Sequence, residues 1–80
     1  MSDESEIKGE TKSAKFRRLA ESRVNNAIEK IRLVGNLANP QYEYTADEVN
    51  KIIAALQTAI AETEEKFRKT IERQRIKFQL

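Results

Sequence analysis

The chain has 80 residues, of which 35% are charged and 6% aromatic, and it contains neither cysteine nor histidine. This length corresponds to one small domain. The missing residue types exclude disulfides, a thiol nucleophile, and the commonest general base and transition-metal ligand. The formal net charge is only +2, so the distribution of charge tells more than its total.

The first residues, 1–11, predict a disordered acidic arm in front of a helical domain that spans 12–80. Ile7 is the only large apolar residue of this arm after Met1, and most of its charges are acidic. Such a stretch does not resemble a signal peptide, and no apolar run reaches the roughly 20 residues of a membrane span. We therefore expect a cytoplasmic protein without membrane contact.

The first helix is predicted over about residues 12–34. Its apolar residues recur at spacings of three and four, as they do along one face of a helix; they are Phe16, Ala20, Val24, Ala27, Ile28, Ile31 and Val34. Gly35 predicts the end of this helix, because glycine readily takes the left-handed conformation that closes many helices.

A bend is predicted over residues 35–45. Asn39 and Pro40 are typical turn residues, and proline cannot continue the hydrogen-bonding pattern of a helix. Thr45, with Glu48 three residues later, matches a capping box, in which two side chains satisfy backbone amides at a helix start. The next helix is therefore expected to begin directly after Thr45.

The second helix is predicted over about residues 46–78, a stretch without glycine or proline. Its apolar face is narrow and continuous; it consists of Val49, Ile52, Ile53, Leu56, Ile60, Thr63, Phe67, Ile71, Gln74 and Phe78. This helix would be markedly longer than the first.

The two apolar faces match when the chain is folded back near Pro40. Because both helices rise equally per residue, facing residues should have numbers that add up to about 80. Ile28 then faces Ile52 and Ile53, and Val24 faces Leu56. The sequence therefore predicts an all-α fold, an antiparallel two-helix hairpin with a long second helix.

The end of the second helix extends beyond the first helix in this hairpin. A core of two helices is also thin relative to the conformational entropy lost on folding. We therefore expect a homodimer, with coiled-coil-like packing in a four-helix bundle, or a protein partner. The predicted interface residues are Phe67, Ile71, Gln74 and Phe78.

No group of residues predicts catalysis. A triad that needs His or Cys cannot form. Glu62, Glu64 and Glu65 lie beside lysines at helical pair spacing, which is typical of a solvated, ion-paired face. Residues 9–13 lack the first glycine and the preceding strand of a phosphate-binding loop. We expect a non-enzymatic protein with no cofactor, metal or small-molecule substrate.

Charge alternates along the chain: residues 1–11 and 43–66 lean acidic, and 12–32 and 68–80 lean basic. In the hairpin, the start of the first helix and the end of the second would form one basic pole. This pole could bind nucleic-acid phosphates without reading bases, or the acidic arm could neutralise it. No helix-turn-helix or RNA-binding motif accompanies it. Candidate phosphate contacts are Lys15, Arg17, Arg18, Arg68, Lys69, Arg73 and Arg75, and the alternative function is a nucleic-acid-binding accessory protein.

Tyr42 and Tyr44 flank Glu43 in the bend and allow two interpretations. Both rings could cover the open end of the hairpin core beside Val34 and Leu37 and keep their hydroxyls in water. Alternatively, two exposed tyrosines suit an interaction hot spot.

Three segments carry a resemblance to a known group of proteins. They are residues 15–28 (KFRRLAESRVNNAI), 31–39 (IRLVGNLAN) and 42–45 (YEYT). This pattern resembles one seen in small uncharacterised bacterial and phage helical proteins, over roughly residues 15–67. The resemblance implies a bacterial or mobile-element origin and no mechanism.

Overall fold

The computed structural model describes residues 9–75, and within this range the chain forms two α-helices and no strand. Helix α1 spans Lys12–Gly35 and helix α2 spans Ala46–Arg75. The predicted all-α class is confirmed, and two helices with a short connection are the elements that a helical hairpin requires. The chain divides into two units at the Tyr42–Glu43 bond. The dimeric four-helix bundle stays a prediction.

Helix α1 begins at Lys12, as predicted, because Thr11 caps it. Thr11 is extended, and its side-chain hydroxyl accepts a hydrogen bond of 3.0 Å from the backbone amide of Ala14. Gly9 has a φ of +83°, a conformation that suits glycine because it has no Cβ. The rest of the predicted acidic arm, residues 1–8, lies outside the described residues.

The prediction that Gly35 takes a left-handed conformation is wrong. Gly35 is the last residue of α1, and its φ is not positive. The next residue, Asn36, remains in the right-handed helical region, and its amide donates to the carbonyls of Arg32 (3.1 Å) and Leu33 (3.2 Å). The bond to Leu33 spans three residues where the bonds of an α-helix span four. Such i→i+3 bonds satisfy the last carbonyls of the helix, so no left-handed residue is needed.

The predicted turn at Asn39 and Pro40 is confirmed. The Asn39 side-chain oxygen accepts a hydrogen bond of 2.9 Å from the amide of Gln41. The Asn39 carbonyl accepts another, of 3.0 Å, from the amide of Tyr42. Both acceptors belong to Asn39, before the proline, and both donors follow it, so one asparagine closes the turn around Pro40.

The capping box at the start of α2 is also confirmed. Thr45 Oγ1 accepts from the Glu48 amide at 3.1 Å, and Glu48 Oε1 accepts from the Thr45 amide at 2.8 Å. Asp47 and Glu48 occupy the first turn, where negative charge is favoured by the helix dipole. The predicted end of the helix, near residue 78, lies outside the described residues.

No residue in the described part of the chain is buried. The partly buried positions are Glu10, Lys15, Arg18, Leu19, Ala20, Ser22, Val34, Leu56 and Glu65. Ile28, Ile52 and Ile53, which the sequence places in a hairpin core, are 41%, 40% and 46% exposed. A single copy therefore leaves its apolar faces largely in water.

Candidate interaction surface

The apolar face of α2 is the largest continuous candidate surface on this helix. It is defined here by Val49, Ile52, Ile53, Leu56, Ile60, Thr63, Phe67 and Ile71. Spacings of three and four place these residues on one side of the helix. Ile60 is 61% exposed and Ile71 is 53% exposed, whereas Leu56 is partly buried. Contiguous exposed apolar surface is typical of interaction sites in other proteins.

The predicted interface residues lie on this face as far as the structure describes them. Phe67 and Ile71 continue the row from Ile60, and Gln74 follows within one turn. Phe78 lies outside the described residues. The surface therefore reaches from the first turn of α2 almost to its last described turn.

Two threonines on or beside this face donate hydrogen bonds from their hydroxyls to backbone carbonyls of the same helix. Thr63 Oγ1 donates to the Ala59 carbonyl at 2.8 Å, and Thr70 Oγ1 donates to the Lys66 carbonyl at 3.0 Å. Covering these side chains would therefore leave no unpaired hydroxyl donor. Sequence reasoning missed Thr70, although its spacing of seven from Thr63 indicates the same face.

Helix α1 carries a second exposed apolar row. Val24, Ile28 and Ile31 follow one another at helical spacing, and they are 55%, 41% and 42% exposed. Leu33 and Leu37 lie further along the chain and are about half exposed. Each unit of the chain thus presents apolar side chains to water.

Three of the predicted phosphate-contacting arginines already have partners. Arg18 binds Glu10 through two hydrogen bonds, Nε to Oε2 at 3.0 Å and Nη2 to Oε1 at 3.1 Å. The side chains of Arg18 and Glu10 are only 27% and 10% exposed. Arg17 donates to Ser13 Oγ at 2.7 Å. Arg68 pairs with Glu65 and, at 3.7 Å, with Glu72.

The remaining predicted phosphate contacts have different surroundings. Lys15 is partly buried, whereas Lys69 and Arg73 are exposed, and no ion pair is found for these two within residues 9–75. The side chain of Arg75 lies outside the part of the chain that the structure describes. Formation of a single basic pole from both helices stays a prediction.

Acidic residues of α2 form local ion pairs at helical spacing, although Glu65 pairs with Arg68 and not with a lysine. Asp47 and Lys51 lie 3.3 Å apart, and both side chains are more than three-quarters exposed. Among the described residues, no three acidic side chains come together as a metal site would require. An open groove on α2 belongs to one helix alone and encloses no ligand; its lining residues are Thr58, Ala61, Glu62, Glu65, Lys66 and Lys69.

Tyr42 and Tyr44 are both 52% exposed. Neither ring is buried, so the structure gives no support to the interpretation that they cover a core. Two half-exposed aromatic rings within the last four residues before α2 are compatible with an interaction hot spot.

No helix within residues 9–75 combines the length and the apolar character needed to cross a bilayer. Comparisons with models of protein families, with curated proteins and with solved structures find no match. The resemblance to bacterial and phage helical proteins therefore stays a prediction, and any functional assignment depends on the surfaces described above.

Proposed function

We propose that the protein is a non-enzymatic interaction and assembly module that self-associates through the apolar face of α2. The observation that carries this proposal is the exposure of that face from Val49 to Ile71, in a chain whose described part buries no residue. At 1.5 Å per residue, this face is about 33 Å long. Removing it from water is favourable by roughly 25 cal/mol for each Å² of apolar surface.

A second copy of the same chain is the partner that we favour. Chains this small bury too little surface to be very stable alone, and association supplies the missing burial. Each copy would contribute two helices with apolar rows, which is the composition of a four-helix bundle. A two-fold axis needs only one self-complementary patch, so no further surface has to be assumed.

The test is the molecular mass in solution, measured by sedimentation or light scattering over a range of concentrations. The expected mass is about twice the 9.2 kDa of one chain. We expect the double substitution Ile60→Asp and Ile71→Asp to weaken association at least about 100-fold, because it would place two unpaired charges in the interface. The control is Thr58→Asp, which adds one charge to the same helix on its opposite side.

A folded monomer at all concentrations would refute the proposal. It would also fail if Thr58→Asp weakened association as much as the double substitution does. In that case the effect would come from charge or helix propensity and would not be specific to the apolar face.

The alternative proposal, a nucleic-acid-binding accessory protein, draws on the exposed basic residues late in α2. Lys69 and Arg73 have no ion pair within the described range, so they are the best remaining candidates for phosphate contacts. The pairing of Arg18 with Glu10 and of Arg68 with Glu65 counts against it. Titration with generic duplex DNA at increasing salt is the test, because binding to phosphates weakens steeply with salt. Absence of binding at low salt rejects this alternative.

A further inference from the structure

Helix α2 has opposite net charges in its two parts. Residues 46–65 carry five acidic residues and one basic residue, a net charge of −4. Residues 66–75 carry five basic residues and one acidic residue, a net charge of +4. Two of the acidic residues, Asp47 and Glu48, lie in the first turn, and the other three, Glu62, Glu64 and Glu65, lie just before the basic part. The last turns of the helix are basic.

Local ion pairs do not remove this separation of charge. The pair Asp47–Lys51 lies within the acidic part. Arg68 pairs with Glu65 and Glu72, across the boundary and within the basic part. The residues of these pairs are already included in the net charges of −4 and +4. Two copies of α2 lying side by side would therefore experience the charge of both parts.

The geometry points to an antiparallel pairing of α2 with α2 of a second copy, in which the acidic first turn of each helix lies against the basic last turns of the other. A parallel pair would place −4 against −4 and +4 against +4, which is repulsive at separations comparable to the Debye length. The antiparallel pair brings Asp47 and Glu48 of each copy level with the basic last turns of the other, and the helix dipoles favour it as well. Glu62, Glu64 and Glu65 lie close to the two-fold axis and near their own counterparts in either direction, so they do not select between the two. This inference rests on the proposed self-association and specifies its partner segment and direction.

The apolar face allows this direction. With the two-fold axis beside residues 60–63, Leu56 is level with Phe67 of the second copy and Ile53 with Thr70. The internal hydroxyl bonds of Thr63 and Thr70 let both threonines be covered without an unpaired donor. The apolar face can thus pack against the same face of a second copy that runs in the opposite direction.

Single spin labels can test the direction, because the chain has no native cysteine. Asn50→Cys places one label near the start of α2, and Ala61→Cys places one near its middle. In the antiparallel dimer, the two labels at residue 50 should lie about 35 Å apart, from a rise of 1.5 Å per residue. The two labels at residue 61 should be much closer, and this position is the control because it is close in either direction.

Short distances at both positions would overturn the antiparallel arrangement and leave the proposed function intact. Long distances at both positions in a dimer would overturn pairing through α2 altogether. A monomeric mass would overturn the proposed function first, and the inference with it.

Discussion

The start of α1 and the body of α2 differ in how their residues are covered. Six of the partly buried residues lie between Glu10 and Ser22, and in α2 up to residue 74 only Leu56 and Glu65 are partly buried. The ion pairs differ in the same way. Glu10 and Arg18 are eight residues apart and shielded from solvent, whereas the pairs of α2 join residues three or four apart on an exposed surface.

The two units are therefore stabilised by different kinds of interaction. The start of α1 is fixed by a contact that closes a small loop of chain, and shielding strengthens that contact. Helix α2 is fixed by its cap and by local pairs, each of which contributes only a few tenths of a kcal/mol to about 1 kcal/mol. Because most helical stability in proteins comes from packing of an amphipathic face, we expect α2 to depend on packing against another apolar surface.

The largest effect is expected from Glu10→Gln. This substitution removes the charge that Arg18 binds and should lower the free energy of unfolding by about 1–2 kcal/mol. For a domain of this size, that corresponds to a decrease in Tm of roughly 5–15 °C. The measurement is thermal unfolding followed by circular dichroism, at one fixed protein concentration because association would shift Tm.

The matched control is Lys51→Gln, which breaks the exposed pair with Asp47 at little cost in helix propensity. We expect it to cost only about 0.3–0.5 kcal/mol. Equal effects of the two substitutions would show that the start of α1 is no better shielded than α2, and the comparison would no longer hold.

A smaller effect is expected from Thr45→Ala. It removes the hydroxyl that caps the Glu48 amide and should cost about 1 kcal/mol. Thr45→Ser keeps the hydroxyl and should leave stability nearly unchanged. The readout is the helical signal in circular dichroism together with the denaturant midpoint.

Thr11→Ala makes the corresponding change at the start of α1. Thr11 caps the Ala14 amide, but the structure shows no reciprocal side-chain bond there, so we expect a smaller loss than at Thr45. A larger loss at Thr11 would mean that the start of α1 depends on its cap more than on the Glu10–Arg18 pair.

Sequence patterns predicted the local features of this protein well. The start of α1 at Lys12, the turn at Asn39 and the capping box of Thr45 with Glu48 are all confirmed. These features depend on residues no more than four positions apart, and such interactions can be read directly from the order of side chains.

The predictions that failed or stayed open concern features with several solutions. A helix can end with a left-handed glycine or with i→i+3 bonds, and Gly35 alone does not distinguish them. Helical spacing does not identify Glu10 as the partner of Arg18, because Glu10 lies outside the helix, although it belongs to the acidic arm that is expected to neutralise basic residues. A count of basic residues also does not show which of them are already paired. Arg68, for example, pairs with Glu65.

Helical periodicity and capping are local properties of the chain, so the order of side chains alone is enough to predict two amphipathic helices with a turn between them. The exposure of each apolar side chain and the choice of ion-pair partners became known only from the structure. Exposure depends on packing between residues that are distant in sequence, and the choice of partner depends on side-chain geometry, so no spacing rule fixes either of them.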